Sequence, residues 1–224
     1  VVYVNVGYEL EAAIPYKESK KIKKLAKSLG FKCGYDGSID CEDGEEEVYN
    51  EATDDYDYIQ PEEGVEFRSK IYFGANQKNK SLNILNDFSK VAKKVCTIND
   101  SMGLHFHVSL KNRASIKKLF TWEFVKAFQA AYKRKFTSDE EIERIDNDYC
   151  EFYQDKEDFE NTLHTAIRGA RKNNSRYKCI NFNAYKSFKT IEFRIFPATN
   201  NPKKFEKYML FTVNFVNDYY EKVK

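Results

Sequence analysis

The chain has 224 residues, 42% of them hydrophobic and 16% aromatic (18 Phe, 16 Tyr and one Trp), which is enough to bury a sizeable core. With 37 basic and 35 acidic residues the net charge is only +2, so no general attraction to nucleic acid or to an anionic membrane is expected. No apolar run approaches the roughly 18 residues a membrane span needs, and four Pro and nine Gly argue against a disordered chain.

Tyr3–Glu11 alternates, with Val4, Val6, Tyr8 and Leu10 on one face and Asn5, Glu9 and Glu11 on the other, which predicts a strand. Side chains at i and i+2 share a face, so Glu9 and Glu11 should stand about 7 Å apart on the polar side. A helix is predicted over Glu18–Leu29 on the stripe Ile22, Leu25, Ala26 and Leu29, with Gly30 suited to end it. YDGSID (35–40) reads as a turn. The acidic segment 41–58 reads as a solvated loop, placed to serve as a lid, some of whose acids could reach a metal. Val65–Arg68 alternates again and presents Glu66 and Arg68 together. The next helix is predicted over Ser81–Val95, striped by Leu82, Leu85, Ala92 and Val95.

Leu104–Leu110 sets Leu104, Phe106, Val108 and Leu110 against His105, His107 and Ser109. A helical block then fills about 115–172. Its first helix is striped by Ile116, Leu119, Phe120, Phe124, Phe128 and Tyr132. Its second opens on a Ser138/Glu141 capping box before Ile142, Ile145, Tyr149 and Phe152, and its third carries Phe159, Leu163, Ala166, Ile167 and Ala170. Ile180–Asn183 and Thr190–Phe196 complete the strands. The first presents Asn181 and Asn183; the second sets Ile191, Phe193 and Ile195 against Glu192 and Arg194. Asn201-Pro202 starts a final helix striped by Phe205, Tyr208, Met209, Thr212, Phe215, Val216 and Tyr219. With no internal repeat and no linker, the chain is expected to form one α+β domain over 1–224, apolar strand faces under the helices and polar faces lining an open concavity.

Five scattered cysteines without a CxxC pair read as reduced thiols of a cytoplasmic protein. A face carrying Glu9, Glu11, Glu66, His105, His107, Glu192 and Arg194 suits divalent metal and a phosphate. Carboxylates supply the oxygen ligands hard cations need, imidazoles hold metal or phosphate, and an arginine fork clamps an anion. Each element alone has a plainer reading: acidic residues keep an edge strand soluble, and Glu192 with Arg194 could be a simple ion pair. His164, within an amphipathic helix, is read as packing or surface. GxGxxG, Walker A, GxSxG and HExxH patterns are absent.

Six motifs in order, GYELE (7–11), YDGSI (35–39), GVEFRS (64–69), MGLHFHVS (102–109), RYKCINFN (176–183) and KTIEFRIF (189–196), resemble the glutamine synthetase-like carboxylate–amine ligases. Within them they resemble the branch called putative amidoligases. The resemblance implies a curved, mainly antiparallel sheet of the glutamine synthetase catalytic-domain type, with helices on one face and an open polar face on the other. It implies ATP and Mg²⁺ or Mn²⁺ as cofactors, with an amine and a carboxylate (small molecule, peptide or protein side chain) as substrates. Carried over by position, Glu9, Glu11, Glu66, His105 and Glu192 are metal ligands, and His107 contacts ATP phosphate. Ser109 approaches the nucleoside, and Arg194 and Arg176 face the transferred phosphoryl group. Only one of the family's two middle-strand glutamates is evident, as Glu66, and Met102 stands where a cysteine is usual. The implied reaction joins carboxylate and amine through an acyl phosphate. A non-catalytic nucleotide- or partner-binding protein retaining the fold, or an ATP-independent metallohydrolase, are the alternatives.

Overall fold

The computed structural model describes residues 2–39, 41, 46–50, 52–53, 55–59, 61–168 and 174–224. In chain order the elements are β1 (Val4–Pro15), α1 (Ser19–Ser28), β2 (Lys32–Tyr35), β3 (Glu46–Asn50), β4 (Asp55–Ile59), β5 (Glu62–Arg68), α2 (Lys78–Ala92) and β6 (Gly103–Leu110). Then follow α3 (Trp122–Lys135), α4 (Asp139–Glu143), α5 (Lys156–Arg168), β7 (Ile180–Asn181), α6 (Ala184–Phe188), β8 (Ile191–Pro197) and α7 (Pro202–Val223). The fold is α+β. Six strands form one sheet in the order β2-β5-β1-β6-β8-β7, every neighbour antiparallel.

Strand alternation makes the two faces unlike. The apolar set of β1 and β6 is fully buried and meets α7, whose Phe205 lies 4.9 Å from the Tyr8 ring and stacks on Phe88 of α2 at 3.8 Å. Phe193 of β8 packs on Phe128 of α3 at 4.9 Å. Helix starts are set by side chains: Thr121 Oγ1 accepts from Phe124 N (3.2 Å), and Asn201 Oδ1 accepts from Lys203 N (2.9 Å) with Pro202 in the first turn. At the capping box Ser138 N donates to Glu141 Oε2 at 3.2 Å. Gly30, at φ 88°, ends the turn after α1 as expected.

Several elements differ from the sequence expectation. The acidic segment 41–58 contains a two-stranded antiparallel ribbon, β3 and β4, pairing Glu46 with Ile59 and Asn50 with Asp55. Its acids at 42–43, 45, 51 and 54 lie outside the described residues. In α2 the buried residues are Ile84, Phe88, Val91 and the predicted Ala92, with the predicted Leu85, and Val95 just beyond the helix, packed against the core, while Leu82 is 50% exposed. The first predicted helix of the 115–172 block is divided: Arg113–Leu119 is a 3-10 turn and α3 begins only at Trp122. The second stops at Glu143 and passes into the 3-10 turn Arg144–Asp146. In the third, Ile167 is 58% exposed and Ala170 lies outside the described residues. The strand predicted over Ile180–Asn183 is only Ile180–Asn181, and Asn183 instead precedes α6.

β8 also carries a bulge. Leu104 pairs with Phe196 but Phe106 pairs with Phe193, so β8 holds one extra residue between these pairs. The alternation therefore resets, and Phe196 joins the core against Phe106 (5.5 Å) and Tyr208 (4.9 Å).

Candidate active site

The polar face of β5, β1, β6 and β8 gathers the predicted residues by register. Glu11 pairs with Glu66, Glu9 with His105, and His107 with Glu192. His105 Nδ1 lies 3.7 Å from Glu9 Oε2 and 3.5 Å from Glu192 Oε1, and its Nε2 lies 3.7 Å from Glu11 Oε1. His107 Nε2 is 3.2 Å from Glu9 Oε1. His105 Nδ1 and His107 Nε2 are buried without a hydrogen-bond partner although carboxylates surround them. Such orphaned nitrogens are costly unless a further group satisfies them.

Neighbouring groups fix the ring and carboxylate positions. Thr190 Oγ1 holds His107 Nδ1 at 3.1 Å, and Gly103 N donates to Glu11 Oε2 at 2.6 Å. Glu192 is buried; it accepts from Asn181 Nδ2 (2.6 Å) and from Arg194 Nη1 (2.8 Å). Arg194 Nε donates to Tyr149 O at 3.4 Å, so with the bond to Glu192 two of the fork's five N–H donors have a partner among the described residues.

Electrostatics follow from this crowding. Burial pushes the Glu9 carboxyl up, but contact with His105 and His107 outweighs it and holds the group well below the usual range. Glu192 is depressed too, burial being overcome by Arg194 and the two histidines. Glu66 moves the other way, to about 7, raised by burial and then by the charge of Glu9. His107 is raised: burial disfavours its charge, and Glu9 and Glu192 more than compensate.

Two clusters result that could each hold a metal ion, with donor atoms within 4.8 Å of one another: Glu9, His105 and Glu192, and Glu11, Asp36 and Glu66. Asp36 was missed from the sequence as a candidate ligand, although the YDGS turn carrying it was singled out. Ser38 N (3.0 Å) and Oγ (2.6 Å) both donate to Asp36 Oδ1. The turn docks on β5 where Gly64 leaves no room, since a Cβ there would lie 2.8 Å from Asp36 O and 2.9 Å from Ile39 Cβ. Arg144 was also missed. It is 5% exposed, donates to Arg194 O (3.2 Å) and Asp100 O (3.4 Å), and keeps its Nε buried and unpartnered. No local sequence signal marks it.

Two cavities of about 340 Å³ each adjoin the clusters. One is lined by Glu11, Asp36, Glu66, Arg144 and Tyr149, the other by Glu9, His107, Glu192, Asn183 and Phe188; Arg176 and Arg194 border both. Arg176 is exposed, its guanidinium 4.7 Å above the Tyr177 ring. Ser109 lines neither cavity; it is 2% exposed beside Asn5, whose Nδ2 lies 3.5 Å from its Oγ.

The sequence matches the family described as "Putative amidoligase enzyme" over residues 5–216. The chain belongs to that family. No curated protein and no solved structure matches it. The family match encloses every residue of both clusters and both arginines shared by the cavities. Amidoligase membership supports a ligase in general, acting on an amine and a carboxylate. No helix among the described residues is long and apolar enough to cross a membrane.

Proposed function

We propose that this amidoligase-family chain is an ATP-dependent carboxylate–amine ligase using Mg²⁺ or Mn²⁺ and forming an amide or isopeptide bond through an acyl phosphate. The observation that carries the reading is the pair of orphaned buried nitrogens, His105 Nδ1 and His107 Nε2, aimed at Glu9 and Glu192 beside a second cluster of three carboxylates. Carboxylate oxygens with one imidazole suit Mg²⁺ or Mn²⁺. Glu9, His105 and Glu192 would hold one ion and Glu11, Asp36 and Glu66 another. Bound there, the ions supply positive charge for phosphate oxygens.

The chain's own groups supply the rest. Arg194 is aimed by Glu192 and Tyr149 O before any ligand arrives, so its fork needs no reorganisation to meet a phosphoryl group. Arg176, exposed at the border of both cavities, would meet the same group. His107 is held by Thr190 with Nε2 free to contact a phosphate oxygen. The substrate carboxylate attacks the terminal phosphorus and ADP leaves. The amine then attacks the acyl carbon and inorganic phosphate leaves. In-line phosphoryl transfer is catalysed mainly by such positioning and charge. Cys33, Cys96, Cys150 and Cys179 form no disulfide, which supports a reducing, cytoplasmic setting.

The test is a screen of amine and carboxylate pairs with ATP and Mg²⁺, reading ADP and product mass together. The expected result is ADP released in step with an amide and only when both substrates are present. ATP bound but never turned over would replace the ligase with a binding protein, and amine-independent hydrolysis would replace it with a hydrolase.

A further inference from the structure

We infer that Phe188 is the stacking platform for the nucleobase, an assignment that rests on the nucleotide reading above. Phe188 ends the five-residue helix α6 and is 56% exposed. Scattered exposed apolar side chains are ordinary on a protein surface. This one differs in its place and in how it is held.

Its place is the rim of the cavity walled by Glu9, His107, Glu192 and Arg194, and its ring meets the His107 ring edge-on at 5.6 Å and 82°. The exposed aromatics Tyr35 and Phe73 line neither charged cavity. The hold comes from the next two residues. Lys189 adopts the left-handed conformation (φ 58°, ψ 38°), strained for a side chain with a Cβ, and its N–H closes α6 on Tyr185 O at 3.0 Å. Thr190 is buried and bonded to His107. The ring is thus tied to the phosphate-contacting histidine through a short, constrained stretch, yet it is left uncovered.

In the other cavity the Arg176 guanidinium covers the Tyr177 ring, and Tyr149, which is 54% exposed and meets Tyr177 edge-on at 5.6 Å, faces a lining of carboxylates and arginines with no side-chain amide. A base has a flat π face that needs an open ring and polar edges that need hydrogen-bonding neighbours. Phe188 offers the first, and Asn181, Asn183 and Ser187 line the same cavity for the second. From a base on Phe188, the phosphates run past His107 toward Arg194 and Arg176.

Calorimetric titration with Mn²⁺ present tests this, using ATP and inorganic triphosphate as the two probes on the wild type, Phe188→Ala and Phe188→Tyr. Stacking predicts that Phe188→Ala weakens ATP about tenfold, leaves triphosphate unchanged, and that Phe188→Tyr restores ATP. Because the ring is exposed, all three proteins should share one thermal midpoint. Equal loss for both probes, or no loss for either, overturns the assignment while leaving phosphate binding intact. A wild type that binds triphosphate as tightly as ATP overturns it in the same way. A wild type that binds neither probe overturns the nucleotide reading, and this assignment with it.

Discussion

A single methyl at position 103 should disable the site without replacing any of its charged side chains. Gly103 opens β6, and a Cβ placed on it would lie 2.6 Å from His105 Nε2, 3.0 Å from Arg144 Nη2 and 3.2 Å from Glu11 Oε2. Ordinary contact begins at 3.4 Å, so the His105 ring would have to retreat by about 0.8 Å. It has nowhere soft to go, being 2% exposed and enclosed by Glu9, Glu11 and Glu192. Overpacking of this kind costs about 1–3 kcal/mol, and each kcal/mol is worth about 2–4 °C in a chain of this size. Gly103→Ala should therefore lower the thermal midpoint by roughly 2–12 °C. A displacement near 1 Å in a reacting geometry costs on the order of a hundredfold, so Mn²⁺ affinity and turnover should fall much further than stability. Gly7→Ala on the adjacent strand is the control, because its nearest neighbours would lie at 3.8 Å. That variant should match the wild type or gain slightly, since alanine restricts the unfolded chain. Differential scanning calorimetry and Mn²⁺ titration on both variants decide the matter. Equal behaviour of Gly103→Ala and Gly7→Ala would refute the argument that His105 is held by close packing.

Three other substitutions probe separate links. Arg194→Lys keeps the charge but loses the planar fork that reaches both Glu192 and Tyr149 O; turnover should drop about a hundredfold, roughly 3 kcal/mol, with ATP affinity changed far less, and normal turnover would end the catalytic role. Glu141 is buried with its carboxyl held below the usual range, burial being overcome by Lys207 and Ser138. A depressed carboxyl contributes stability above its unfolded pKa and loses it as pH falls through the folded one. Thermal midpoints of wild type and Glu141→Gln should therefore converge as pH drops below about 4.5, and a constant gap from pH 6 to 3 would contradict this. Lys189→Gly should raise the midpoint by about 2–4 °C by relieving roughly 1 kcal/mol of left-handed strain, less whatever the Lys189 ammonium gains over the Tyr185 ring (4.8 Å); a fall would show that this contact outweighs the strain.

What the sequence revealed, and what it hid, divides by the range of the interactions. Glu9, Glu11, Glu66, His105, His107, Glu192 and Arg194 were legible because a period of two is local and each alternating segment fixes its own faces. Their convergence needed only that the strands be neighbours. Asp36 was not legible as a candidate ligand because the YDGS turn reaches Glu11 and Glu66 only by docking where Gly64 has no Cβ. Arg144 was hidden by a helical pattern that runs on through Ile145 and Tyr149, whereas the helix ends at Glu143 and the following turn carries Arg144 inward. In 41–58 the acidic charge masked a strand signal: Asp55, Tyr56, Asp57 and Tyr58 alternate acid and aromatic, in the strand that pairs with Glu46–Asn50. Misreading the α2 stripe came from weighting Leu82 over Ile84 and Phe88, which the same periodicity permits.

The β8 bulge explains how the covered face of the sheet governs the open one. One extra residue between Phe193 and Phe196 lets both phenylalanines point into the core, where a regular strand would send them to opposite faces. Phe196 is fixed there by Tyr132 (5.7 Å), Phe136 (5.7 Å) and Tyr208 (4.9 Å). The Tyr132 hydroxyl lies 3.4 Å from Ile195 O inside the bulge and 3.1 Å from Glu141 O in α4. It thereby ties the bulge to the helix whose end delivers Arg144. Arg144 then donates to Arg194 O, also inside the bulge. The bulge, the α4 terminus and both arginines form one unit, anchored by aromatic rings that never touch a ligand. Two arginines beside clustered carboxylates stay in place because the opposite face is packed with phenylalanine and tyrosine, and a cavity cut there would be transmitted through a single backbone segment to the Arg194 guanidinium.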